Sequence, residues 1–155
     1  SINLFKINSA SEMLEAVNTC MKSSDIFISC AAVADYKPSN YSDTKIKKEN
    51  LDNLEINLEK NHDILSEVAE QFSSAYIVGF AAETSDVNSN AKKKLDSKNL
   101  NMIISNDVSD TSIGFDSDEN EVHVITSNET IFIKKDKKIR IAREILNIIS
   151  ININS

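Results

Sequence analysis

Glycine is almost missing from this chain: Gly79 and Gly114 are the only two in 155 residues. A dinucleotide fingerprint of the G-x-G-x-x-G type, or a phosphate loop, needs at least two or three glycines within a few residues, because only glycine lets a backbone wrap phosphate closely. Neither motif exists here. A nucleotide bound by this chain must lean on side-chain ammonium groups, or on glycine-rich backbone outside it. Cysteine is scarce too. Cys20 and Cys30 stand ten apart with no C-x-x-C pattern, and with His62 and His123 the only histidines, the spacing argues against a structural zinc site; both cysteines read as buried packing residues. Basic residues are outnumbered, 17 Lys and Arg against 24 Asp and Glu for a net charge of -7, which argues against a general binder of nucleic acid or membrane surfaces. No apolar run reaches about 18 residues and no basic-then-apolar leader opens the chain. The expectation is a cytoplasmic protein with small-molecule partners.

What is present is ordinary globular composition, 41% hydrophobic and 26% charged, enough for one domain over residues 1–155 with its own core. The rest is organised around residues 25–48. Ile26, Phe27, Ile28, Cys30, Ala31, Ala32 and Val33 make a near-continuous apolar run, which predicts a strand buried on both faces of a parallel sheet. Asp35 follows, where the carboxyl end of such a strand faces the crevice in which open α/β sheets bind ligands. Small residues flank the acid and admit a ligand close to the backbone. The stretch beyond, with the only proline, Pro38, reads as a lid loop over 36–48.

Upstream, residues 3–7 look β-like, and Ser9 with Glu12 has capping-box spacing. A helix to about Met21 then carries Met13, Leu14, Val17, Cys20 and Met21 on one face, so the opening reads strand, helix, strand. Alternation at Leu54, Ile56 and Leu58 marks a half-exposed antiparallel or edge strand able to pair with a partner chain. Asn61 is placed to cap a helix with Asp63 in its first turn and Ile64, Leu65, Val68, Ala69 and Phe72 buried. The run from Ala75 to Thr84 repeats the first key strand and ends in Glu83. A lysine-rich helix from Ala91 to about Ser97 leads to a third buried run closed by Asn106 and Asp107. An acidic turn region, a hairpin turning at Ser127 and Asn128, and a helix over 137–150 with Ala142, Ile145, Leu146 and Ile149 inward complete the chain, with a frayed tail.

Several motifs dissolve on inspection. Tyr41 and Lys45 have dehydrogenase-like spacing, but they lie in a polar loop with no glycine fingerprint upstream. Asp116, Asp118 and Asn120 imitate a calcium loop, yet its sixth position is Glu121 instead of glycine and its twelfth Ser127 instead of glutamate. Cys30 lacks a histidine near in sequence, and mid-strand burial would raise its thiol pKa. His62, in a first helical turn, meets a dipole that disfavours its charged form. Lys94 and Lys98 share a helix face that reads, by default, as solvated, and the lysines of 45–48 as exposed loop charges.

Five blocks in order change that default: AAVADYKP at 31–38, KIKK at 45–48, EKNHDIL at 59–65, GFAAET at 79–84, and SNDV followed by GFDSDEN. Together they resemble phosphopantothenoylcysteine synthetase, the bacterial form that is usually the carboxy-terminal half of a bifunctional protein with a flavin-dependent decarboxylase. The resemblance runs from about Ile2 to the last helix. It implies coenzyme A synthesis, in which 4′-phosphopantothenate and CTP give an acyl-cytidylate and pyrophosphate, and cysteine's amine then displaces CMP. It implies nucleotide-binding roles for Asp35, Lys45, His62, Asp63, Ile64, Leu65, Phe80, Lys94 and Lys98, with Asp35 holding Mg²⁺ through the nucleotide and Lys45 acting in catalysis from the lid. His62 departs from the family's proline, a mild change, since proline there mainly presets a torsion. A homodimer is implied, and no flavin in this chain. The family's glycine-containing phosphate loop and an asparagine associated with the acyl-cytidylate belong to an amino-terminal βαβ segment. This chain is expected to start after it and, by itself, not to ligate.

The expected fold is a three-layer, Rossmann-like α/β domain with a mostly parallel sheet, an antiparallel strand extension and the lid. An NAD(P)-dependent reductase and a non-catalytic nucleotide-binding or dimerisation module are the alternatives, separable by NADPH against CTP titration and by turnover.

Overall fold

A computed structural model describes residues 2–40, 42–44, 55–83, 86–107 and 117–154. Its centre is a five-stranded sheet in the order β1-β4-β5-β6-β7, with β1 Ile26–Ser29, β4 Tyr76–Glu83, β5 Met102–Asp107, β6 Glu119–Ile125 and β7 Thr130–Lys137. β1, β4 and β5 run parallel, and β6 and β7 are antiparallel additions. Helices α1 (Ala10–Met21), α2 (Ile64–Gln71) and α3 (Val87–Ser97) cover one face, and α4 (Lys138–Ile153) covers the other. Three layers result, as the sequence predicts.

The apolar runs of β4 and β5 are two-sided strands, whereas β1, expected to be buried on both faces, has no buried residue and leaves Ile26 41% exposed. Successive residues of a strand face opposite sides, and Ile77, Ile103 and Ile125 enter the core under α1, α2 and α3 while Val78, Ile104 and Val124 enter the core under α4. All six are at most 2% exposed. Gly79 permits a close approach of side chains: a Cβ there would meet Leu65 Cδ2 at 2.9 Å and Leu100 Cδ1 at 3.0 Å. The hairpin turn at residues 126–129 is closed by Thr126, whose Oγ1 accepts from the Asn128 and Glu129 N–H groups at 3.3 and 3.2 Å. At the start of α1, Ser9 Oγ accepts from Glu12 N–H at 3.2 Å, while the Glu12 carboxylate reaches back to Asn8 N–H at 2.7 Å.

Several expectations are corrected. Residues 3–7 form no strand, and Ile2, Leu4 and Phe5 stand 96%, 80% and 56% exposed, because a β-like run becomes a strand only where another backbone takes its hydrogen bonds. β1 stops at Ser29 and among the described residues pairs only with β4, so Cys30 is exposed instead of buried mid-strand. Among the described residues of the alternation read at 54–58, Ile56 lies outside any strand and Leu58 begins one: β3 (Leu58–Lys60) pairs antiparallel with β2 (Tyr36–Pro38), inside the stretch read as the lid, in a separate two-stranded ribbon. On α4 the inward residues are Ile141, Ile145, Ile148 and Ile149; Ala142 and Leu146 face out. Its tail does not fray at Ser150, since Asn152 and Asn154 donate side-chain hydrogen bonds to the Ile148 and Ser150 carbonyls at 3.0 and 2.7 Å. Tyr41, Lys45, Lys47, Lys48, Leu54, Gly114 and Asp116 lie outside the described residues.

Candidate functional site

Beyond β1 the chain leaves the sheet, and residues 31–35 cross the carboxyl edge of β1 and β4 before entering the ribbon. Asn61 fixes this crossing. Its Nδ2 donates to the Ala34 carbonyl at 2.8 Å, and its backbone N–H donates to the Asp35 carbonyl at 2.8 Å. The α2 cap is therefore not Asn61 but Asp63, whose Oδ1 accepts from Ser66 N–H at 3.2 Å. A helix begins where its first free N–H groups find an acceptor, and the register places Asp63 there. His62 falls before the cap, outside the first turn, and its Nδ1 donates to Glu67 Oε1 at 2.8 Å.

Between this crossing, the start of α2 and the last turn of α3 lies a cleft of about 390 Å³. Asp35, His62, Asp63, Ile64, Leu65, Phe80, Lys94 and Lys98 all line it. These eight residues come from the 31–35 crossing, the α2 start, β4 and α3, which the sheet brings to one place. Lys45 is the one sequence-derived candidate left outside, because it is not among the described residues. Met13, Ser29, Lys60 and Asn61 also line the cleft and were not singled out from sequence for it. Asn61 had a polar signal, but nothing in local spacing reveals a bond to a carbonyl 27 residues earlier.

The electrostatics are specific. Lys98 Nζ donates to Asp63 Oδ2 at 2.6 Å, tying the end of α3 to the cap of α2. Partial burial would raise the Asp63 carboxyl, but hydrogen bonds from Lys98 and from the Ser66 side chain and backbone outweigh it and hold the group below its ordinary value. Cys30 stands at the same edge, where desolvation raises its thiol pKa, which does not favour a thiolate nucleophile. Among the described residues no group of three or more His, Cys, Asp or Glu side chains could cage a metal. A cation here would depend on a ligand's own oxygens beside the Asp35 carboxylate.

Fold and site together define a Rossmann-like α/β domain with its ligand cleft at the carboxyl edge of the parallel strands, lined by Lys94, Lys98 and the Asp63 carboxylate that caps α2 and pairs with Lys98. The chain belongs to the family described as DNA/pantothenate metabolism flavoprotein, C-terminal domain, which it matches over residues 1–152. It is 38% identical over 148 residues to the coenzyme A biosynthesis bifunctional protein CoaBC of Vibrio vulnificus, covering 94% of this chain and 37% of that protein. Identity to the CoaBC of Bacillus subtilis is 42% over 132 residues, 85% of this chain and 30% of the relative. The chain thus spans roughly a third of the curated relatives it matches. A crystal structure of the C-terminal domain of a CoaBC superposes with a TM-score of 0.77 at 34% identity, covering 97% of this chain and 65% of that one. No helix among the described residues is long and apolar enough to cross a membrane.

Proposed function

We propose that this chain supplies the nucleotide half of a CTP-dependent phosphopantothenate–cysteine ligase of coenzyme A synthesis. The observation that carries the reading is the convergence of eight residues, assigned from the family resemblance, on one cleft. In the first half-reaction a carboxylate oxygen of 4′-phosphopantothenate attacks the α-phosphorus of CTP, and the bond to the β-phosphate breaks to release pyrophosphate. In the second, cysteine's amine attacks the acyl carbon, loses a proton, and CMP leaves. Asp35 would hold Mg²⁺ brought by the triphosphate, an arrangement that suits a cation bound through one carboxylate plus substrate phosphates. When bound, the ion neutralises phosphate charge. Lys94 and Lys98 contribute cationic charge to the cleft, and Lys45 is the proposed catalytic lysine, stabilising charge that grows at the reacting groups. We extend the proposal to a homodimer.

The Lys98–Asp63 pair gives the test its form. Removing Lys98 leaves the Asp63 carboxylate uncompensated in a cleft meant for an anion, so Lys98→Gln should weaken CTP binding by about tenfold, about 1.4 kcal/mol. The double variant Lys98→Gln with Asp63→Asn should recover part of that loss. Lys94→Gln should weaken CTP binding without such rescue, and each loss should shrink at high salt. Calorimetric titration with CTP, with NADPH as the control ligand, measures all three. Unchanged CTP affinity across the lysine variants, or preference for NADPH, overturns the assignment.

A further inference from the structure

His62 is the one imidazole on the wall of the cleft, at the position where the sequence departs from the family's proline. The α2 cap does not use it: Asp63 makes the cap, and the His62 ring turns along the helix so that Nδ1 meets Glu67 Oε1 at 2.8 Å. A carboxylate only accepts, so the proton of the neutral ring sits on Nδ1. Nε2 is the nitrogen left over. In the neutral ring it carries a lone pair, which repels phosphate oxygens. A second proton can go only to Nε2, and the same atom then becomes a cationic donor of the kind that binds phosphate. Imidazole is the side chain whose charge changes between about pH 5 and pH 8.

The surrounding charge gives this proton weight. The charged groups of the cleft are Asp35 on the crossing, Lys60 at the end of β3, Asp63 at the α2 cap, and Lys94 and Lys98 on and just after α3. Three cations thus stand against two carboxylates, and Lys98 is already tied to Asp63 at 2.6 Å. A surplus of one positive charge faces the ligand, and a proton on His62 raises it to two. The positive end of α2 disfavours a cation beside it, and the Glu67 carboxylate supplies the opposite charge. Glu67 does not line the cleft, so the group that orients the ring stays out of the ligand's space.

We propose that His62 is a proton-gated phosphate contact of the cleft and that Glu67 is its positioning residue, so that nucleotide binding tightens as the pH falls from 8 to 6. The inference rests on the ligase reading for the identity of the nucleotide. The sign follows from the ligand: a polyanion favours the protonated ring, so binding gains where the ring is charged and loses that gain where it is neutral. The two side chains are 53% and 41% exposed, and water screens an exposed charge, which keeps the expected gain near about threefold.

The experiment titrates CTP and inorganic triphosphate, which carries the charge without the base, into the unmutated chain, His62→Gln and Glu67→Ala at pH 8 and pH 6. A terminal phosphate takes up a proton of its own near about pH 6, so the quantity read is how the change in affinity between the two pH values differs from chain to chain. From pH 8 to pH 6 the unmutated chain should gain about threefold over His62→Gln with both anions, and the gain should shrink at high salt. Glu67→Ala, which keeps the ring but frees it, should lose most of the gain. A pH response shared by the unmutated chain and His62→Gln, or a gain that survives Glu67→Ala, overturns the inference. CTP binding with one pH response in all three chains defeats this inference alone. A His62-dependent gain for triphosphate in a chain that does not bind CTP supports the gate and defeats the ligase reading, and absence of binding by both anions defeats both.

Discussion

The five-stranded sheet and the two-stranded ribbon are built from the same backbone hydrogen bonds, yet they differ in almost everything else. In the sheet, Ile77, Val78, Ile103, Ile104 and Val124 are at most 2% exposed, with helices on both faces. In the ribbon, Tyr36 and Leu58 are 59% and 58% exposed, and its one cross-strand ion pair, Lys37 to Glu59 at 3.2 Å, is also exposed. Strand pairing alone does not make a stable unit, since a two-stranded hairpin is marginal in water without packing on a face. The ribbon keeps its place through its ends: Asn61 holds the 31–35 crossing, and Ser39 bonds the Asn57 carbonyl from its N–H at 2.9 Å and its hydroxyl at 3.1 Å. The sheet carries the fold, and the ribbon carries chain toward the cleft.

The contrast can be broken at the sheet with the largest effect. Ile104→Ala, at a fully buried position, should cost about 2–5 kcal/mol from lost transfer energy and a cavity, read as a lower urea midpoint. A loss under about 1 kcal/mol would mean that the core under α4 collapses to fill the space. The junction between the two regions is Asp63, which caps α2 just after the ribbon and holds Lys98. Asp63→Ala should cost about 0.5–2 kcal/mol. Because the folded carboxyl lies below its ordinary value, its contribution is fully present above the unfolded pKa of about 3.9 and is lost as the pH falls through the lower folded value. Urea midpoints from neutral to acid pH should therefore fall less steeply for Asp63→Asn than for the unmutated chain. Identical acid limbs would remove the carboxylate from the stability account. The ribbon should respond least: Leu58→Ser should change global stability by less than about 0.5 kcal/mol. A drop comparable to that of Ile104→Ala would show that Leu58 is covered in solution, as a second copy of the chain would do.

Much of this protein was legible in the order of its residues. The two-sided runs ending at Glu83 and Asp107, the Ser9–Glu12 cap, the hairpin at 126–129 and the three-layer architecture follow from periodicity and turn chemistry, which act between residues close in sequence. The family was legible too, because its blocks are short and contiguous. What local pattern could not decide was burial and partnership. Residues 3–7 have a strand's composition but no neighbouring backbone to accept their hydrogen bonds, and Cys30 and Leu146 have core chemistry but lie past the end of β1 and on the outer side of α4. Asn61 looked like a cap, yet its register put Asp63 at the helix start and freed Asn61 to hold a carbonyl far back in the chain. The meeting of Lys98 with Asp63, 35 residues apart, depends on packing α2 beside α3 on one face of the sheet. Local spacing fixes which residues can form a helix or strand; only the closed tertiary packing fixes which distant side chains come within hydrogen-bonding distance.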